Sequence, residues 1–85
     1  MSLNHPNAIK LRAAATKYRS NLYKQFKVDK NILKLAEQDY FDLMSIALMI
    51  EENEFNNNAI ARAIFRLDTI VRETIPNDIY DIYCK

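Results

Sequence analysis

Lys10, Arg12, Lys17, Arg19 and Lys24 recur along the first third of the chain, with Tyr18, Tyr23 and Phe26 set among them. Cations at such spacing can neutralise phosphates by releasing counterions, which gives an affinity that falls steeply with salt. The same residues also suit a solvated helix face, or a face that pairs with the acidic part of the chain or with a partner subunit. No groove-reading motif accompanies them. Two carboxylate groups, Glu37, Asp39 and Asp42 and then Glu51, Glu52 and Glu54, have the residue types for metal binding or acid–base work. Such work needs a pocket that separates their pKa values, or ligands that converge. The surrounding pattern puts these acids along exposed helix faces or at a helix end, so ordinary solvation is expected. Cys84 and His5, the single thiol and the single imidazole, lie at opposite ends of the chain. A nucleophile needs fixed geometry with its base, and terminal segments usually fray. Ser45 reads as a small packing residue. The sequence therefore predicts a non-enzymatic protein with no cofactor, no metal and no small-molecule substrate.

The elements that carry these residues divide the charge unevenly. Up to Lys34, eight basic residues face Asp29 alone, whereas from Leu35 onward Arg62, Arg66, Arg72 and Lys85 face ten acids. The formal net charge of +1 conceals this polarity, which would draw different partners to the two halves or draw the halves together. Glycine is absent. Phosphate-cradling loops and dinucleotide turns need it, so that chemistry is excluded.

A chain of 85 residues forms one domain whose single core leaves a thin margin over chain entropy. One cysteine cannot make an internal disulfide and one histidine gives little to a zinc site, so oligomerisation is the remaining means of adding burial. Hydrophobic residues make up 49% of the chain, too many for a disordered tail. No apolar run is long enough to span a bilayer and the N-terminus lacks a secretion signal, so no membrane partner is expected and the cytoplasm is the expected compartment.

The apolar spacing predicts a single all-α domain, a small helical hairpin or bundle with helices over about 7–25, 30–53, 58–75 and 77–84. Pro6 suits a first turn preceded by a cap at Asn4 or His5, and Leu11, Ala14, Ala15, Tyr18 and Leu22 form the first stripe. Asp29 is the expected cap of the second helix, where Ala36, Tyr40, Leu43, Ala47 and Ile50 make one stripe and Phe41, Met44 and Leu48 a neighbouring one. A helix apolar over more than half its circumference needs cover on two sides. Glu51 to Phe55 should end this helix, and Asn56, Asn57 and Asn58 offer caps for the next. There Ile60, Ile64, Leu67, Val71 and Ile75 share a face widened by Ala63 and Ile70. Pro76 marks a break. Asn77 is the expected cap of a last helix with Ile79, Ile82 and Tyr83 on one face.

From about Leu33 to Tyr83 the order of features resembles the YmgB/AriR family of small bacterial biofilm-modulation or two-component connector proteins. The likeness rests on Ala36-Glu37-Gln38-Asp39, Leu48-Met49, the Asn57-Asn58 connection and Phe65-Arg66-Leu67-Asp68 inside the third helix. It implies an all-helical homodimer with a regulatory role in biofilm formation and stress response, acting through signalling proteins and in part through DNA. It carries over no catalytic residue. A shorter likeness, Ile75-Pro76 with Ile79-Tyr80 and Ile82, is similar to the C-terminal end of the Hha/YmoA nucleoid modulators.

These readings converge on a regulatory protein that dimerises through Tyr40, Phe41, Met44, Leu48, Ile64 and Leu67 and meets a signalling or regulatory partner through Lys10, Arg12, Lys17, Arg19 and Lys24. The alternatives are a DNA-binding or nucleoid-associated modulator that uses the same basic set, and a phage or immunity-type inhibitor of one enzyme.

Overall fold

His5 and Pro6 start the first helix as the side-chain chemistry requires. His5 Nδ1 accepts from the backbone N–H of Asn7 at 3.2 Å, and Pro6 occupies the first turn, where its missing N–H costs nothing. The computed structural model describes residues 5–53 and 56–84, and of Asn53 only the backbone. In chain order the helices are α1 (Pro6–Gln25), α2 (Lys30–Asn53), α3 (Asn57–Phe65), α4 (Thr69–Arg72) and α5 (Asn77–Cys84), and the described residues include no strand. The architecture is all-α.

The turn between α1 and α2 is closed by the Asp29 N–H, which donates to the Phe26 carbonyl at 2.9 Å. Asp29 then caps α2, its Oδ1 accepting from the N–H groups of Asn31 and Ile32 at 3.1 and 3.2 Å. This reverses the chain and lays α1 antiparallel on α2. Leu11 and Ala15 from α1 and Ala36, Leu43, Ala47 and Ile50 from α2 are fully buried. Alanines at this seam let the two helices approach closely.

Asn56 caps α3 by accepting from Ala59 N–H at 3.2 Å. The continuous helix expected over 58–75 is broken. The Leu67 N–H bonds to the Ile64 carbonyl, a tighter spacing than the α-helical one, and Asp68 is extended at φ −61°, ψ 152°. Asp68 stands at the N-cap position of α4 without a side-chain capping bond, and Thr69 Oγ1 accepts from the Arg72 guanidinium at 3.1 Å, so neither side chain replaces a lost backbone bond. The core drives the break home, because a straight 18-residue helix would run to roughly 27 Å, and three short legs instead return Leu67, Val71, Ile75, Ile79 and Tyr83 to one cluster with Ile60 and Ile64.

Two smaller expectations change with it. Ile70 and Ile82, assigned to apolar faces, point outward and are 71% and 49% exposed. The cap of α5 is Pro76, whose carbonyl accepts from the N–H groups of Ile79 and Tyr80, so Asn77 is a first-turn residue. Glu54 and Phe55, expected at the end of the second helix, and Asn4, a candidate cap, lie outside the described residues.

The core gathers at the open end of the hairpin, where α3, α4 and α5 cover Ala8, Leu11 and Ala15 and the stretch from Leu43 to Ile50. Toward the turn, from 22 to 37, Ala36 alone is fully buried. That portion forms an arm on a molecule measuring 41 × 23 × 17 Å.

The broken helix can be tested by substitution. Leu43→Ala should cost about 3 kcal/mol, whereas Ile70→Ala, on the face a continuous helix would bury, should stay within about 0.5 kcal/mol. Urea unfolding of the two variants measures both, and equal losses would contradict the arrangement.

Candidate functional site

The basic helix docks on the acidic part of its own chain. Arg12 Nη2 closes on Glu51 Oε1, and the Glu51 side chain is 0% exposed. Glu51 was expected to be solvated at a helix end. It is instead buried at the hairpin seam, and its Oε2 has no hydrogen-bond partner. Arg19 places its guanidinium 3.8 Å from the centre of the Tyr40 ring and lies 3.7 Å from Glu37 Oε2. Lys10 Nζ donates to Asp78 Oδ2 at 2.5 Å and ties α1 to α5. That contact holds the Asp78 carboxyl below its ordinary value, with the Lys10 hydrogen bond as the largest cause.

Two phenols complete the seam. Tyr18 donates to Asp39 Oδ2 at 2.9 Å, and Tyr23 donates to Glu37 Oε1. Burial first, then the hydrogen bond to Asp39, pushes the Tyr18 pKa up to about 12. Burial also raises Asp39, and the Tyr18 hydroxyl partly offsets this. Tyr23 is raised chiefly by its bond to Glu37.

Of the five cations assigned to a partner or to nucleic acid, Lys10, Arg12 and Arg19 are thus engaged inside the chain. Lys17 and Lys24 remain exposed. The structure adds Lys27, Lys30 and Lys34, all exposed at the turn. The sequence shows them as part of the basic run, but their freedom from acids depends on which carboxylates the seam has already taken up.

The six residues assigned to a dimer interface also separate. Ile64 is fully enclosed by its own chain and Leu67 nearly so, while Tyr40 and Met44 are partly buried against the core. A residue shut inside its own core has no surface to offer a second copy. Phe41 and Leu48 lie on the outer face of α2, 60% and 46% exposed. Tyr40 meets Phe41 edge-on with ring centres 5.8 Å apart.

The remaining polar groups are committed to local structure. Ser45 Oγ donates to the Phe41 carbonyl at 2.9 Å. Burial pushes the Cys84 thiol up, which disfavours the thiolate a nucleophile would need. A groove of about 510 Å³ runs between α1 and the bend at Thr74 and Pro76, with Lys10, Lys17 and Asn21 on its rim. Its two hydroxyls are turned inward, Tyr18 to Asp39 and Thr74 to the Val71 carbonyl. Among the described residues no three His, Cys, Asp or Glu side chains gather as a metal site would require. No helix among them is long and apolar enough to cross a membrane.

No protein-family model matches this chain, and neither a curated protein nor a solved structure matches it.

Two measurements test the seam. Arg12→Ala should cost about 3 kcal/mol in urea unfolding because it strands a buried carboxylate, whereas replacing Arg12 and Glu51 together by Met and Leu should cost far less. The phenol gives a pH prediction. A tyrosine whose folded pKa is raised contributes stability that is complete below its unfolded value near 10 and is lost as pH rises toward about 12. Phenolate absorbance should show a component titrating near 12 that disappears in Tyr18→Phe.

Proposed function

We propose that this chain is a non-enzymatic regulatory protein that acts through protein contacts and works as a homodimer joined across the outer face of α2. The observation that carries the reading is the exposed pair Phe41 and Leu48, two turns apart with Met44 between them. Large apolar side chains in line on a solvent-facing helix mark a surface that gains by being covered. An isologous contact suits such a line, because antiparallel helices related by a two-fold axis bring Phe41 of one copy toward Leu48 of the other. A chain of this size has the most to gain from shared burial.

The regulatory assignment draws on the resemblance to YmgB/AriR proteins. The residues Ala36 to Asp39 lie in α2, and Phe65 to Asp68 span the end of α3 and the break after it rather than a helix interior. A role in biofilm or stress response is the biology this resemblance implies.

Sedimentation equilibrium at low and high salt is the direct test. The wild-type chain should be a salt-insensitive dimer. Phe41→Ser with Leu48→Ser should give a folded monomer with an unchanged helical circular dichroism spectrum. A monomeric wild type, or a dimer that survives both substitutions, would remove the reading. Met44 is left unchanged, because it is partly buried against the core and its replacement would confound dissociation with unfolding.

A further inference from the structure

We propose that the tip of the α1–α2 hairpin is a contact site for an anionic lipid surface. Lys27 and Val28 are the central residues of the turn closed by Phe26 and Asp29. Val28 is 89% exposed there, more than any other large hydrophobic residue described. Lys24 stands just inside the end of α1 and Lys30 opens α2. Lys34 lies one turn further in, roughly 6 Å along the axis. All four lysines are exposed.

The acids near this tip are occupied. Asp29 caps two backbone N–H groups of α2, and Glu37 takes Tyr23 and Arg19. Both arginines of the basic run are engaged inside the chain, so the tip carries only lysines. A lysine is a mobile point charge on an apolar stem, suited to headgroup phosphates and carboxylates without fixed geometry.

Shape decides between a flat surface and a groove. Two helices side by side measure roughly 20 Å across, which exceeds the roughly 12 Å major groove of duplex DNA. A plane perpendicular to the hairpin axis instead meets the apex and the lysine collar together. The protruding valine then enters the boundary of headgroups and acyl chains, and the ammonium groups stay at headgroup level. A peripheral contact of this kind needs no bilayer-spanning run, so the absence of such a run in the sequence does not oppose it. It is also independent of the dimer face, since no residue is shared.

Co-sedimentation of the full chain with vesicles is the experiment. Vesicles of phosphatidylcholine with about 30% phosphatidylserine should retain the protein at about 50 mM salt and release it at about 500 mM. Pure phosphatidylcholine vesicles should not retain it. Each lysine near such a surface should be worth about fivefold in partitioning, so replacing Lys24, Lys27, Lys30 and Lys34 by Gln should abolish retention. Val28→Ser should weaken it by about tenfold. Arg62→Gln, on exposed α3 surface, should bind as wild type. Equal retention on both vesicle types, no retention at low salt, or unchanged binding by the lysine variant would overturn the proposal. So would release of the protein from anionic vesicles by duplex DNA at equal phosphate concentration.

Discussion

The contact on which the rest of the molecule depends is Arg12 against Glu51 at the open end of the hairpin. A carboxylate with no exposed side-chain surface is tolerable only with its counter-charge in place, because desolvation costs several kcal/mol or roughly that order. A slip of one turn between α1 and α2 would part this pair and displace Tyr18 from Asp39. The pair therefore acts more on register than on net stability. Attraction between the helices comes from the apolar seam of Leu11, Ala15, Leu43, Ala47 and Ile50. Once the register is set, Ile46 lies beside Ala63 and Leu67 and Asp78 is within reach of Lys10.

The distribution of burial follows from the same arrangement. Three short helices cover the open end of the hairpin, and no other helix among the described residues covers its turn. From 22 to 37 the seam relies on Ala36 and on the half-buried Leu22, Phe26, Ile32 and Leu33. Few buried contacts mean a low local opening energy. Polar contacts at Tyr23, Arg19 and Glu37 supplement packing there, although exposed ion pairs contribute little. The arm is thus the part of the fold that opens most readily, and the core end the part that opens least.

Much of the fold is legible in the residue order. Pro6 and Asp29 mark two helix starts by chemistry that acts within a few residues, and the three-four spacing of Leu43, Ala47 and Ile50 identifies the buried face of α2. The break after α3 is not legible by periodicity, because Ile60, Ile64, Leu67, Val71 and Ile75 are buried whether the chain runs straight or folds back. The available signal is the Asp68-Thr69 pair, residue types that favour a helix start, although Asp68 occupies the N-cap position of α4 without a side-chain bond. Ile70 and Ile82 show the same limit from the other side. Their spacing fits a core face, yet the space there is already filled.

The candidate surfaces divide in the same way. Residue order is enough to show that the chain is helical, that most of its cations precede its acids, and that Phe41, Met44 and Leu48 form a line beside the main stripe of α2. These are properties of neighbours along the chain, where helical geometry converts spacing into direction. It takes the packed helices to show that Arg12, Arg19 and Lys10 pair with acids of the same chain while the lysines of the turn are left exposed, and that Ile64 and Leu67 belong to the core while Phe41 and Leu48 do not. Which charge meets which, and which apolar face is already covered, depends on the register of helices far apart in sequence. That register is settled by packing and by the cost of a buried charge.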